Sequence, residues 1–427
     1  MRTVSARRIL EGLVVGLMLY AANIRGLVIR GIFPMDGVWI EATIEFFLVI
    51  IALWLLAKSG LLGKYKSLWL KNWPLILFIG IAAASLLWTI DVRATLGRVL
   101  VLVFSSLFAA YLAARLTLQE ILNILAGFFA ALVVLCFAVV IIWPDTGMMN
   151  FYPYYGSWCG IFWHRNYLGS TMALGTSIFL ICFSLVWRQP KPRNSERSMT
   201  PLRRRWLLIF YGIFYFLSLA LVVLSRSATG LILAIVLHVF FVGVLLWLAT
   251  YLKLSRVHYW ILGSLCIVIA VIAYLKLNSV LAIFNRDATF TGRTGMWLYL
   301  FQHVISERPL LGHGFGALWL QASFRLAMQS ALGWPYPVII GDNGYIDILL
   351  HLGLIGLLSF VAILVLACVR MIKLAKGQRT LLAFAPLLVM VFMLLSNVTL
   401  SYILESESFT WIIMAAMLFS ATSLENE

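Results

Sequence analysis

Charge is what this 427-residue sequence has least of: 11% of its residues are Asp, Glu, Lys or Arg, against about 25% in a soluble domain. With 63% hydrophobic residues and a mean hydropathy of +1.00, an ordinary soluble enzyme and a disordered chain are both excluded. Acids are scarcest, 16 against 32 basic residues, for a net charge of +16. In a soluble protein that excess points to nucleic acid. In a chain this apolar it is tested first against the positive-inside rule. Cysteine is also sparse: Cys136, Cys182, Cys266 and Cys368 sit in apolar runs and Cys159 in a loop. No pair has metal-ligand spacing, so neither a disulfide scaffold nor a metal centre is indicated. A small-residue cleavage site is missing as well. Arg2, Arg7 and Arg8 precede an apolar run as in a signal peptide, but without that site the run reads as a retained first span.

Long apolar runs are what the sequence does have. A span needs about 20 mostly apolar residues, and twelve candidates fit: 9–29, 40–57, 73–90, 97–114, 120–143, 166–187, 206–224, 230–249, 259–277, 344–369, 381–402 and 408–424. The fold class is therefore all-α, a single polytopic transmembrane domain over 1–427. The basic residues alternate correctly if both termini are cytoplasmic. The inner loops hold Arg2/Arg7/Arg8, Lys58/Lys64/Lys66/Lys71, Arg115, the seven bases from Arg188 to Arg205, Lys253/Arg256 and Arg370/Lys373/Lys376/Arg379. The Pro-, Ser- and Arg-rich stretch 188–205 reads as an unstructured cytoplasmic linker. With acids assigned the same way, the outer side is neutral and the whole +16 lies inside. The excess is a topology signal and says nothing of nucleic acid.

The outer face carries the chemistry. Its largest loop, 278–343, contains Trp297, Leu300, Phe301 and Val304 at i, i+3, i+4, i+7, one apolar stripe on a short helix closed by Glu307-Arg308-Pro309. A second apolar stretch runs from Leu318 to Leu332. The outer basic residues are Arg25, Arg30, Arg93, Arg98, Arg165, Arg226, Lys276, Arg286, Arg293, Arg308 and Arg325, all arginine but one. Arginine's planar fork binds phosphate through two parallel bonds and keeps its charge when partly buried. Such a face suits an anion; pairing with outer acids or lipid headgroups is the alternative.

Arg226 lies in the short turn Ser225-Arg226-Ser227 between two spans, where an unpaired charge is costly. Arg293, in Thr291-Gly292-Arg293-Thr294, opens the amphipathic helix, and helix N-termini attract anions. Gly312-His313-Gly314-Phe315-Gly316 allows close backbone approach to a ligand, or is a plain turn. Asp342 or Asn343 can cap the helix that follows, or Asp342 can act as a base. Asp347 and His351, four residues apart, form either an intramembrane functional pair or a satisfied one. His238, alone in a span, reads as a buried hydrogen-bonded residue.

Together these pieces resemble the O-antigen ligase/polymerase family of bacterial membrane glycosyltransferases. The likeness covers roughly residues 150 to 370. It rests on Gly160-Ile161-Phe162-Trp163-His164-Arg165-Asn166-Tyr167-Leu168-Gly169, on Ser225-Arg226-Ser227, and on Thr291-Gly292-Arg293-Thr294 with Trp297. Arg308-Pro309-Leu310-Leu311-Gly312-His313-Gly314-Phe315-Gly316 follows, then Asn343-Gly344-Tyr345 with Leu352-Gly353-Leu354-Ile355-Gly356. The His164-to-Gly169 run and the Asp287-to-Arg293 stretch are similar to exopolysaccharide polymerases. Ligases of the family usually carry a histidine where this chain has Asp342.

The resemblance implies glycosyl transfer at the outer leaflet of the bacterial inner membrane, from an undecaprenyl-diphosphate-linked oligosaccharide to a sugar hydroxyl of an acceptor glycan or glycolipid. It implies no cofactor, metal or nucleotide sugar. Arg226 and Arg293, with Arg165 and Arg308, are expected to hold the donor diphosphate. Asp342 is the expected base. His313, His351 and His164 are fallback bases, and Asn343 and Tyr345 line the acceptor side. A chain-length regulator and a flippase are expected partners besides the bilayer. A ligase acting on lipid A–core is the near alternative, and a polysaccharide or lipid flippase the distant one.

Overall fold

The computed structural model describes residues 37–151, 154–188, 200–251, 293–334, 338, 340–402 and 409–425, together with positions 12 and 16. Among them there is no strand, only an isolated bridge between Met148 and Trp158. The chain is an all-helical polytopic membrane protein. Its helices are α1 (Gly37–Ala57), α2 (Leu62–Lys71), α3 (Trp73–Ala84), α4 (Val92–Arg115), α5 (Leu118–Ile142), α6 (Arg165–Arg188), α7 (Pro201–Leu224), α8 (Ala228–Tyr251), α9 (Arg293–His303), α10 (Ala322–Leu332), α11 (Gly344–Gln378), α12 (Leu381–Ser396) and α13 (Phe409–Leu424).

Seven of these helices are long and apolar enough to cross a membrane, or eight if the bent pair α2–α3 is one span. The twelve expected spans map onto them unevenly. Two, 9–29 and 259–277, lie outside the described residues. The expected 73–90 span is the second arm of the pair bent by 78° at Asn72. The last two, α12 and α13, are 16 residues each, shorter than a straight crossing needs. The expected linker 188–205 is helical from Pro201 onward, so Arg203, Arg204 and Arg205 sit on α7. The physical reason is a capped start: the Thr200 hydroxyl accepts from Arg203 N–H at 3.3 Å, and Pro201 occupies the first turn, where its missing N–H costs nothing.

Two compact units divide the chain: Met1–Thr117, Thr289–Lys373 and Met393–Glu427 form the first, Leu118–Ala288 and Leu374–Phe392 the second. In the first, α13 is buried along its whole length and packs on α4, which also contacts α1. Asp91 starts α4 by accepting from Ala94 N–H at 3.0 Å. At the α2–α3 bend, Arg370 of α11 donates to Asn72 Oδ1 (2.6 Å), the Lys71 carbonyl (2.5 Å) and Thr422 Oγ1 (2.9 Å), and lies 3.7 Å from Glu425. One guanidinium thus ties together the bend, α11 and α13. Arg370→Ala strands these acceptors at about 1–3 kcal/mol each. A lower midpoint of thermal unfolding in detergent is expected, with Arg370→Lys intermediate because an ammonium lacks the fork; a wild-type midpoint would show that the tie is dispensable.

In the second unit α6 is the buried centre, packed by α5, α7 and α8. It crosses α8 where two glycines meet: a Cβ at Gly230 would lie 2.5 Å from Gly169 C, and one at Gly169 2.7 Å from Ser225 Oγ. Small residues at such a crossing let backbones close. Ser227 Oγ donates to Asn166 Oδ1 at 2.9 Å across the same contact. His238, as expected, is hydrogen-bonded, at 3.1 Å from the Tyr215 hydroxyl.

Candidate functional site

In the first unit the site is built on a break in α11. Gly353 has φ 63° and ψ −162°, which breaks the helical hydrogen-bond ladder two residues after His351. The loop Arg308–Gly314 takes the freed groups. His313 and Gly314 N–H donate to the Leu350 and His351 carbonyls, each at 2.9 Å, while Leu354 and Ile355 N–H donate to the Pro309 and Leu310 carbonyls at 2.8 and 3.3 Å. The loop is fixed on its other side by the end of α3: Trp88 Nε1 donates to the Leu311 carbonyl at 3.0 Å, Phe315 N–H to Ser85 Oγ at 3.0 Å, and Arg308 to the Trp88 carbonyl at 3.2 Å. An open apolar cleft of about 560 Å³ is lined there by Trp88 and residues 308–312.

Gly312, Gly314 and Gly316 of the glycine loop have positive φ, and a Cβ on them would strike His351, Thr89 and Arg98 respectively. The close approach seen is to the chain itself. His313 and His351 lie in the same contact. His351 is 1% exposed and its Nδ1 accepts from Gly316 N–H at 2.7 Å. His313 is buried, its Nδ1 on the Leu350 carbonyl at 3.1 Å. Both rings are buried against the chain's own backbone.

Arg293 opens α9 and is 5% exposed. Its Nε and Nη2 both donate to Asp342 Oδ2, at 3.0 and 2.9 Å, while Nη1 is buried with no hydrogen-bond partner among the described residues. Asp342 has φ 50°, a backbone region that side-chain-bearing residues rarely occupy. The turn bearing it is held from several sides. Trp297 Nε1 donates to the Gly341 carbonyl at 2.8 Å. Gly341 packs so closely on the Asp347 carboxylate that a Cβ has no room, and Asp347 in turn accepts from Trp319 Nε1 at 2.8 Å and from the Ser401 hydroxyl. Asn343 is the N-cap of α11, accepting from Tyr345 and Ile346 N–H at 3.0 and 3.2 Å. The Tyr345 hydroxyl donates to the Leu394 carbonyl at 2.9 Å. Asn343 and Tyr345 thus shape the turn. Asp347 and His351 go to different partners, so the expected pair is two separate anchors.

The α9 stripe is also shifted. Arg293, Met296 and Leu300 are its buried residues, Val304 is buried just beyond, and Phe301 is 46% exposed. The Arg293–Asp342 pair and the cluster of Met296, Leu300 and Val304 with Leu318, Met328 and Leu350 hold that face, and Phe301 lies off it. The helix stops at His303 and a 3₁₀ turn, Ile305–Glu307, leads to Pro309. The second stretch folds as a 3₁₀ turn, Leu318–Leu320, and α10, closed by Gly333 in the left-handed conformation.

In the second unit, Arg226 is exposed, with φ 51°, and reaches the Tyr155 carbonyl at 3.5 Å. Arg165 is 3% exposed; it donates to the Arg226 carbonyl at 2.9 Å and Ser157 Oγ at 3.3 Å and lies 4.2 Å over the Tyr154 ring. It therefore holds the Arg226 turn in its strained shape. His164 Nδ1 accepts from Asn166 N–H at 3.2 Å, at the start of α6. Among the described residues, the non-glycine positions with positive φ are Arg226, Asp342 and Arg379. The first two are the residues singled out from sequence. Backbone strain of this kind concentrates at functional sites, and no residue pattern reveals it.

No curated protein matches the chain. Residues 213–361 match the sequence model of the family described as O-antigen ligase, a segment that takes in the Arg226 turn, the Arg293–Asp342 pair and the Gly353 break, and over that segment the chain is similar to the O-antigen ligase/polymerase family.

Proposed function

We propose that the protein polymerises oligosaccharide repeat units. The donor is an undecaprenyl-diphosphate-linked oligosaccharide, and the acceptor a sugar hydroxyl, at the outer leaflet of the inner membrane. In this reading both termini are cytoplasmic, and residues 278–343 form a periplasmic loop. The observation that carries it is the Arg293–Asp342 pair: a buried guanidinium whose Nη1 has no hydrogen-bond partner among the described residues, bound to a carboxylate on a strained turn. The acceptor oxygen attacks the anomeric carbon. The bond from that carbon to the diphosphate oxygen breaks, and the lipid diphosphate departs with the electron pair. Asp342 takes the hydroxyl proton; carboxylates do so in glycosidases, whose transition states are also oxocarbenium-like. Arg293 stabilises the developing diphosphate charge, and Arg226 and Arg308 are assigned to donor phosphate on the same chemical ground. Arg165 supports Arg226. A flippase, upstream, and a chain-length regulator are the partners proposed with this reading.

The printed name of the matched family favours a second reading, a ligase moving the glycan to lipid A–core. Purified protein in nanodiscs, given lipid-diphosphate repeat units with and without lipid A–core, separates the two. Longer lipid-linked chains are the expected product. Transfer only to lipid A–core establishes the ligase, and translocation with no new glycosidic bond overturns both.

A further inference from the structure

The loop before α6 carries a run of aromatic rings that the proposed chemistry leaves unused. Phe151 and Tyr154 have ring centroids 5.7 Å apart, Tyr154 and His164 5.4 Å, His164 and Trp163 5.4 Å, and Trp163 and Tyr167 5.0 Å. At its surface, Phe151 is 39% exposed, Trp163 37% and Tyr155 64%. The rings are held from below. The Arg165 guanidinium lies under Tyr154, and Tyr167, beside Trp163, is buried. The loop backbone is satisfied within itself and against the Arg226 turn: Met149 N–H to the Ser157 carbonyl (2.8 Å), Gly156 N–H to the Met149 carbonyl (3.0 Å), Trp158 N–H to the Leu224 carbonyl (3.1 Å).

We infer that this run is a saccharide-binding platform for the phosphate-proximal sugars of the lipid-linked donor, an inference that rests on the donor class proposed above. Three observations favour a sugar over the hydrocarbon of the bilayer. Phe151, Tyr154 and Tyr155 are presented by a loop, Trp163 and His164 by the residues just before α6 and Tyr167 by its first turn, so the rings form a run and not single anchors. They are backed by a buried guanidinium. They border the exposed Arg226 guanidinium, 3.5 Å from the Tyr155 carbonyl, and a charge at that position belongs to water or headgroups, since hydrocarbon would make it costly. A sugar joined to a diphosphate has the matching shape: an apolar C–H face for the rings, hydroxyl edges for His164 and Tyr155, and an anionic end for Arg226. Because the rings are already packed, little side-chain freedom is lost on binding.

The test uses the full-length protein in nanodiscs. The probe is the oligosaccharide released by mild acid from the lipid-linked intermediates of the native host. Saturation-transfer NMR is expected to show contact at ring C–H protons for wild type and for Trp163→Phe, and its loss in Trp163→Ala and Phe151→Ala. In the elongation assay, Trp163→Ala is expected to raise KM for the donor by about tenfold, equivalent to about 1.4 kcal/mol, with kcat within about threefold and rescue by Trp163→Phe. Unchanged KM and persistent sugar contact in both alanine variants would overturn the platform. So would a fall in kcat alone, or loss in Trp163→Phe as well, since those report a structural or membrane-belt role. If wild type elongates nothing, the polymerase reading fails by itself, and the NMR result still decides the platform.

Discussion

Arg293→Ala is expected to slow glycan elongation by about 10²–10³-fold, the usual consequence of removing one positioned donor from a developing negative charge. The expectation follows from where the guanidinium sits. It is nearly fully buried, so its charge acts through little water, and two of its nitrogens are committed to one carboxylate oxygen of Asp342. The third, Nη1, has no partner among the described residues. A buried N–H without an acceptor costs about 1–3 kcal/mol, and a phosphate oxygen arriving beside it would remove that cost. Arg293→Lys is expected to be nearly as slow as alanine, because an ammonium has no planar fork with which to hold Asp342 and a second anion together. Asp342→Asn keeps the turn but removes the proton acceptor, so kcat should fall more than donor binding weakens. The measurement is initial-rate elongation with lipid-diphosphate repeat units. A near-wild-type rate for Arg293→Ala would remove the diphosphate role. A severe loss in Arg293→Ala alone, restored in the Arg293→Ala/Asp342→Ala double variant, would reduce the pair to a stabilising contact.

The elements that hydropathy controls were readable before the structure. Helices α1 and α4 to α8 fall within about five residues of the expected spans, and α11 starts where expected but runs nine residues further, because lipid admits only helices with their backbone bonds closed internally. What escaped depends on partners distant in sequence. The bend at Asn72 is a local asparagine in an otherwise apolar run, and its partners Arg370 and Thr422 lie about 300 and 350 residues away. Phe301 matches the helical period as well as Leu300 does, and distant partners, Asp342 and the cluster with Leu318, Met328 and Leu350, decide which face of α9 is buried. The glycines of the 312–316 loop announce a close backbone approach but not to what; the answer is His351, Thr89 and Arg98. Asp342 and Arg226 were legible as residue types in the right places. Their positive φ was not, nor was the part Arg165 takes in holding Arg226.

The break at Gly353 yields the sharpest prediction for the fold. Its φ and ψ fall in a region that is essentially restricted to glycine. An added Cβ would meet the backbone of Leu310, which cannot swing aside as a side chain can. Reciprocally, a Cβ on Gly312 would lie 2.5 Å from His351 C and 2.7 Å from its oxygen. Loop and broken helix are therefore complementary halves of one contact. Gly353→Ala first demands a rare backbone conformation, at about 1–3 kcal/mol. It then separates the loop from four backbone groups of α11, at about 1–3 kcal/mol for each buried group left unpaired. Little folded protein is expected for Gly353→Ala, measured as the monodisperse fraction on size exclusion in detergent, and Gly312→Ala should behave alike. Gly127→Ala supplies the contrast: its Cβ would meet nothing within 4 Å, α5 is continuous there, and alanine favours a helix by about 1 kcal/mol over glycine. That variant should be as well folded as wild type or better. If instead all three variants fold alike, α11 can run unbroken through residue 353, and the loop from Arg308 to Gly314 would have to find its hydrogen bonds elsewhere.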